Sequence, residues 1–271
     1  MRHFYPVIHP TAIIHPGAKL DSTVRVGPYA VIDEGVELGA NCVVGPHVYL
    51  TGVTTIGGGN QFHAGCVIGD APQDLKYQNE PTRLRIGDHN VFREHLTVHR
   101  STKTDAETII GSHNFFMANA HVAHNCVIGD HVIMANGALL GGYVEIQDRA
   151  FISGNCCVHQ FTRVGTLALM QGNSSISQDL PPFTVALREN EICGLNSVGL
   201  RRAGFTAEQR LELKKLYHLL FRGGKNLREA TAGARNFFNS ATAKTLLDFV
   251  ANAKRGICAD LGCTASLRAE E

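Results

Sequence analysis

Net charge is almost missing from this sequence. Its 271 residues carry 25 Lys and Arg against 24 Asp and Glu, which leaves +1. A nucleic-acid binder needs a basic face, so that class is disfavoured. Long apolar runs are missing as well. The chain is 44% hydrophobic, yet it never gathers the roughly 20 consecutive apolar residues that span a bilayer. Met1 to Pro10 lacks the basic-then-apolar pattern of a secretory leader, which points to a cytoplasmic protein. The eight cysteines contain no Cys-x-x-Cys pair, so the commonest zinc spacing is excluded. Cytosolic thiols also argue against a disulfide framework.

What is present is a repeat. Every sixth residue from Ile8 through Leu20, Ile32, Val44 and Ile56 to Ile68 is large and apolar. The same frame resumes at Ile86, Phe92 and Val98, and again from Ile110 through Phe116, Val122 and Leu140 to Ile176. Only Asp74, Glu80 and Thr104 break it. A helix would place apolar residues three and four apart, and a lone strand would alternate them. A six-residue period fits one short strand and one turn, the side of a triangular β-solenoid coil of 3 × 6 = 18 residues. Coils stack as parallel strands about 4.8 Å apart. A second, smaller inward slot follows four residues later, at Ala12, Ala18, Val24 and Ala30. Cys42, Cys66, Cys126 and Cys156 fall in that slot, where a thiol serves as a small hydrophobe. Cys258 and Cys263 are expected as free thiols in the tail. Gly57-Gly58-Gly59-Asn60 and Gly87-Asp88-His89-Asn90 supply residue types that accept the left-handed backbone of corners.

Two stretches leave the frame without losing it, at 70–85 and 100–108, and read as excursions from corners. Loops on rigid scaffolds are common places for function. Pro181-Pro182 ends the coils. The expected organisation is a β-solenoid over 1–183, then a connector and helical domain over 184–271. Thr206 and Gln209 form a plausible capping box, and Leu213, Leu216, Tyr217 and Leu220 share one helical face before Gly223-Gly224. Two further helices are expected near 226–238 and 240–254, followed by a frayed tail from about 257.

Most histidines, including His3, His9, His15, His47, His89, His95, His113 and His131, fall at edges or turns and read as solvated or hydrogen-bonded. His124 differs. Adding one coil gives Gly142, and another gives Gln160, flanked by His159. One edge would then carry an imidazole, a glycine amide and a carboxamide on successive rungs. An imidazole can take a proton from an attacking hydroxyl, and a backbone N–H can hold a tetrahedral oxyanion. That combination suits acyl transfer. Spacing alone leaves open edge histidines that only hydrogen-bond the turns.

Five motifs bring in a resemblance. They are Gln73-Asp74-Leu75-Lys76-Tyr77 with Glu80-Pro81-Thr82-Arg83, Asn119-Ala120-His121-Val122-Ala123-His124, Val158-His159-Gln160-Phe161, Gln178-Asp179-Leu180-Pro181-Pro182 and Gly199-Leu200-Arg201-Arg202. With them the chain resembles the UDP-N-acetylglucosamine O-acyltransferases of lipid A biosynthesis over nearly its whole length. The resemblance implies a mainly β protein, a left-handed parallel β-helix of hexapeptide repeats with a small C-terminal α-helical domain. It also implies a homotrimer with active sites between subunits. Such an enzyme moves a 3-hydroxyacyl chain from acyl carrier protein to the 3-hydroxyl of UDP-N-acetylglucosamine, with no metal or other cofactor. By the same resemblance His124 is the general base and Gly142 the oxyanion donor. Gln73, Asp74, Lys76 and His121 lie near the sugar and acyl donor. His159, Gln160, Asn196 and Arg202 contact nucleotide or acyl chain. Gly172 matches the position that limits acyl length, and glycine there leaves room for a long chain.

The chain departs from the family pattern at Asn125, where some relatives carry Asp, and at Tyr143, where His is common. It departs again at Val198 and Ala203. These positions bear on sugar recognition, including whether a 3-hydroxyl or a 3-amino sugar is acylated. Rival readings are a zinc enzyme of the carbonic anhydrase kind recruiting His121, His124 and His159, a non-enzymatic scaffold, and an acetyl-CoA-dependent transferase.

Overall fold

The computed structural model describes residues 7–261, so His3 and Cys263 lie outside the described residues. Among the described residues short strands, mostly of two residues, stack into three sheets of nine, eight and eleven strands, parallel but for one pair near the end of the third. Each sheet is one side of a triangular coil. Val31 pairs with Tyr49 and Tyr49 with Val67, one 18-residue coil apart each time. Where the excursions intervene the step lengthens by whole repeats. Phe62 pairs with Phe92 thirty residues on, and Phe92 with Phe116 twenty-four on. The excursions therefore add twelve and six residues, and the inward frame survives both.

The inward slots pack as the period demands. Phe62, Phe92 and Phe116 stack ring on ring, with centroids 4.8 and 5.2 Å apart, and Phe92 is fully buried. Replacing Phe92 by alanine should cost about 3–5 kcal/mol, read as a lower denaturation midpoint at unchanged m-value. Cys42, Cys66, Cys126 and Cys156 are fully buried free thiols, and burial pushes Cys66 up to about 11.

The corners are less dependent on Gly, Asn and Asp than expected. His47, His89, His95, His113 and His131 adopt φ between 55° and 60°, and Tyr143, Phe161 and Leu167 also lie in the left-handed region. A left-handed backbone costs a bulky residue about 1–2 kcal/mol. Ring stacking from rung to rung offsets part of that cost. His89, His113 and His131 stack at 5.2 and 5.0 Å, and Tyr143 stacks on Phe161 at 4.8 Å.

Beyond Pro182 the structure departs from the expected connector. Thr184–Leu187 continues the third sheet in parallel, and Glu191–Leu195 turns back antiparallel on it. The count of six misses this because Ala186 lies over Met170 only sixteen residues on. Among the described residues four helices follow: α1 (Ser197–Arg202), α2 (Ala207–Phe221), α3 (Leu227–Ala234) and α4 (Ala241–Ala251). The Thr206–Gln209 capping box forms, and α2 buries Leu213, Leu216, Tyr217 and Leu220. The expected fraying is overturned for residues 257–261. Ala259–Asp260 joins the third sheet beside Glu191 and Ile192, Cys258 is fully buried, and Tyr217 Oη donates to Asp260 at 2.7 Å. The helices are fastened to the coils by Arg163, which grips buried Asp179 with two hydrogen bonds and lies 4.2 Å over the Phe249 ring.

Candidate active site

Both excursions fold back against the edge that carries His124. Arg100 ties them together. Its guanidinium donates to Tyr77 Oη at 3.1 Å and to the Gly69 carbonyl at 2.9 Å. Between them and the later coils lies a cleft of about 600 Å³. Gln73, His121, His124, Gly142, His159 and Gln160, all expected from sequence, line it.

The rungs meet as the spacing requires. Tyr143 N–H donates to the His124 carbonyl, and Phe161 N–H to that of Gly142, each at 3.0 Å. The imidazole lies over the Gly142 α-carbon. A Cβ built there would touch Cε1 and sit 2.7 Å from Nε2. Glycine is therefore required by close approach rather than by backbone angle. Gly142 is itself buried, and among the described residues its N–H donates to no other group of the chain. On its other side, His124 Nδ1 lies 3.0 Å from Asn125 Oδ1.

His121 occupies the same face one position from the corner, with Nδ1 2.7 Å from Thr97 Oγ1. His99, missed by the sequence reading, stands edge-on to it with centroids 4.8 Å apart. His99 is buried, lines the cleft, and its Nδ1 has no hydrogen-bond partner. The 24-residue step of this coil carried the signal, since it stacks Thr97 under His121 and so brings His99 alongside. Burial, with His99 and His124 nearby, pushes His121 down to about 4. A histidine whose folded value is depressed binds fewer protons than the unfolded chain between about pH 6.5 and 4. Stability from His121 is thus present above pH 6.5 and is lost as pH falls toward 4, by on the order of 2 kcal/mol. The melting temperature of wild type should fall more steeply across that window than that of His121→Gln.

The remaining expected residues lie outside the cleft of a single chain. Asp74 is partly exposed in its loop, where it accepts from the Lys76 N–H at 2.9 Å, and Lys76 is exposed. Tyr143 backs His124 at 5.5 Å, with Oη 3.1 Å from Thr102 Oγ1. Gly172 is exposed at a corner after the third sheet, whereas the cleft follows the first. Asn196 caps α1, accepting from Gly199 N–H and donating to the Leu167 carbonyl, both at 2.9 Å. Arg202 is exposed at the end of α1. Cys157, Leu139 and Ser175, which form the cleft floor, were not singled out from sequence. They are the outward partners of His121 along the first sheet, each one coil further on. Among the described residues no three His, Cys, Asp or Glu side chains are grouped to hold a metal ion, and no helix is long and apolar enough to cross a membrane.

Known proteins resemble this chain over most of its length. A family profile described as UDP-N-acetylglucosamine O-acyltransferase, domain 2, matches residues 179–258, and bacterial transferase hexapeptide repeats match 21–52 and 107–142. An acyl-[acyl-carrier-protein]–UDP-N-acetylglucosamine O-acyltransferase of Thiobacillus denitrificans is 47% identical over 92% of this chain and 98% of that protein. One from Gloeothece citriformis is 46% identical over 90% and 88%. The crystal structure of UDP-N-acetylglucosamine acyltransferase from Francisella novicida superposes with a TM-score of 0.90, at 33% identity, over 94% of each chain. At this similarity over this length, the chain belongs to the UDP-N-acetylglucosamine O-acyltransferase family and has its left-handed parallel β-helix fold.

Proposed function

We propose that His124 and Gly142 carry the chemistry of acyl transfer from a carrier protein to a sugar nucleotide. The chain is an acyltransferase of the first step of lipid A biosynthesis. It moves a 3-hydroxyacyl group from acyl carrier protein to the 3-hydroxyl of UDP-N-acetylglucosamine. The observation that carries the assignment of roles is the seating of the His124 ring on Gly142, with both residues lining the cleft.

In the mechanism this supports, the sugar 3-hydroxyl gives its proton to His124 Nε2 as its oxygen attacks the thioester carbonyl carbon. Charge builds on the carbonyl oxygen, and the Gly142 N–H receives it. Collapse breaks the carbon–sulfur bond. The imidazolium returns its proton to the departing thiolate, so His124 ends neutral. His121 stays neutral well into the acid range and serves as a hydrogen-bonding wall for the sugar, with Gln73 closing the cleft from its loop. Gln160 and His159 extend the same edge toward the nucleotide.

A cytoplasmic homotrimer is the assembly this reading calls for. Gly172 sits at the corner after the third sheet and Asn196 against the Leu167 corner after the second, so a neighbouring copy would have to present them, with Arg202, to the cleft. An acidic carrier calls for a basic landing surface. A second cavity of about 680 Å³, lined by Arg201, Arg210, Lys214, His218 and Arg222, supports one beside α1 and α2. The test is a transfer assay with radiolabelled UDP-N-acetylglucosamine and 3-hydroxyacyl carrier protein. Label should move into an acylated sugar nucleotide at a rate proportional to enzyme. Transfer from acetyl-CoA alone would overturn the reading.

A further inference from the structure

The hydrogen bonds around Asn125 have a direction, and that direction fixes the base. A backbone N–H can only donate. Thr102 N–H meets Asn125 at 3.0 Å, so the atom it meets is the amide oxygen. Thr102 Oγ1 donates to the same oxygen at 2.9 Å. The amide nitrogen must then face the other way, where it donates to Ser101 Oγ at 2.5 Å. Ser101 is fully buried. Its one hydroxyl proton goes to the Lys103 carbonyl, and it accepts from Lys103 N–H. Ser101 therefore offers lone pairs to residue 125, and no proton.

The oxygen so fixed lies 3.0 Å from His124 Nδ1. An acceptor there holds a proton on Nδ1, which leaves the lone pair of the neutral ring on Nε2, the atom over Gly142. A flipped amide would set its NH₂ against the Thr102 N–H. A carboxylate at 125 would turn an oxygen toward Ser101 and would need its proton taken from the Lys103 carbonyl. The surroundings are wired for a neutral amide.

We infer that Ser101 and Thr102, from the second excursion, are positioning residues that lock the Asn125 amide and through it set the reactive tautomer of His124. Neither lines the cleft. The inference rests on His124 being the base. His124→Ala tests that reading by itself, whereas the variants below all keep the imidazole.

Ser101→Ala should lower kcat about 10-fold, the worth of one lost orienting hydrogen bond, with both KM values held within about two-fold. Asn125→Asp cannot be misoriented, because its two oxygens are equivalent. It should move the acid limb of the pH–rate profile up by about one pH unit, as a carboxylate beside Nδ1 favours the imidazolium. The double variant Ser101→Ala/Asn125→Asp should then recover to within about three-fold of Asn125→Asp alone, since the aspartate no longer needs the serine to orient it. Thr102→Val, which keeps its N–H, should lose less than Ser101→Ala. Circular dichroism and gel filtration verify folding. If Ser101→Ala does not fold, the comparison of the double variant with Asn125→Asp still decides. Unchanged kcat in Ser101→Ala, losses that multiply in the double variant, or an unmoved acid limb in Asn125→Asp would overturn the inference.

Discussion

His124→Ala should lose transfer activity by a factor of about 10²–10⁴, the usual worth of a positioned general base. KM for both substrates should stay within a few-fold, because the ring acts on a proton rather than on a binding contact. Stability should change little, since the side chain is only half-buried on an edge. The pH profile sharpens the result. In the wild type, activity should fall at acid pH as an imidazole takes up its proton. His121 cannot account for an acid limb between pH 5 and 7, since burial holds it near 4. That limb should vanish from the residual rate of His124→Ala. A flat wild-type profile from pH 5 to 8 would remove His124 from the role, provided chemistry limits turnover.

The second large effect is expected one rung up. A methyl group at position 142 would touch His124 Cε1 and approach Nε2 to 2.7 Å. The backbone there is outside the left-handed region, so alanine strains nothing but the contact itself. Either the imidazole tilts off its seat or the coils part. Misplacement of a reacting group by about 1 Å can cost on the order of 10²-fold, so Gly142→Ala should approach His124→Ala in rate. Overpacking should also cost about 1–3 kcal/mol of stability. Adding His124→Ala to Gly142→Ala frees the space, so the double variant should regain the lost melting temperature while remaining inactive. Full activity in Gly142→Ala would mean that the ring does not sit there during turnover.

The coils were legible in the sequence because each inward slot is a fixed number of residues from its copy. The same arithmetic found the proposed column of His124, Gly142 and Gln160, since 124, 142 and 160 lie past the last excursion. It failed wherever the step was not eighteen. His99 was hidden by a 24-residue coil, and Ala186 by a 16-residue one. The strand at Ala259–Asp260 has no periodicity to betray it. It is held by pairing to Glu191 and Ile192 and by the Tyr217 and Arg222 contacts to Asp260, partners that only the folded chain brings near. The orientation of Asn125 was equally unreadable, because it depends on which atoms of a loop 23 residues away face it.

A stack in which each coil touches only its neighbours behaves as a one-dimensional lattice, and this lattice has unequal ends. At one end Val7, Ile8 and Ile13 stand exposed. At the other, four helices and the Arg163–Asp179 clasp close the column. Thermal opening should therefore run from the coil of Ile8 and Ile14 inward, like a zipper with a single slider. The rungs bearing His124 and Gly142 lie toward the shut end, several coils from where unravelling starts. Partial melting would consume the early coils first and reach the ridge of His124 and Gly142 late.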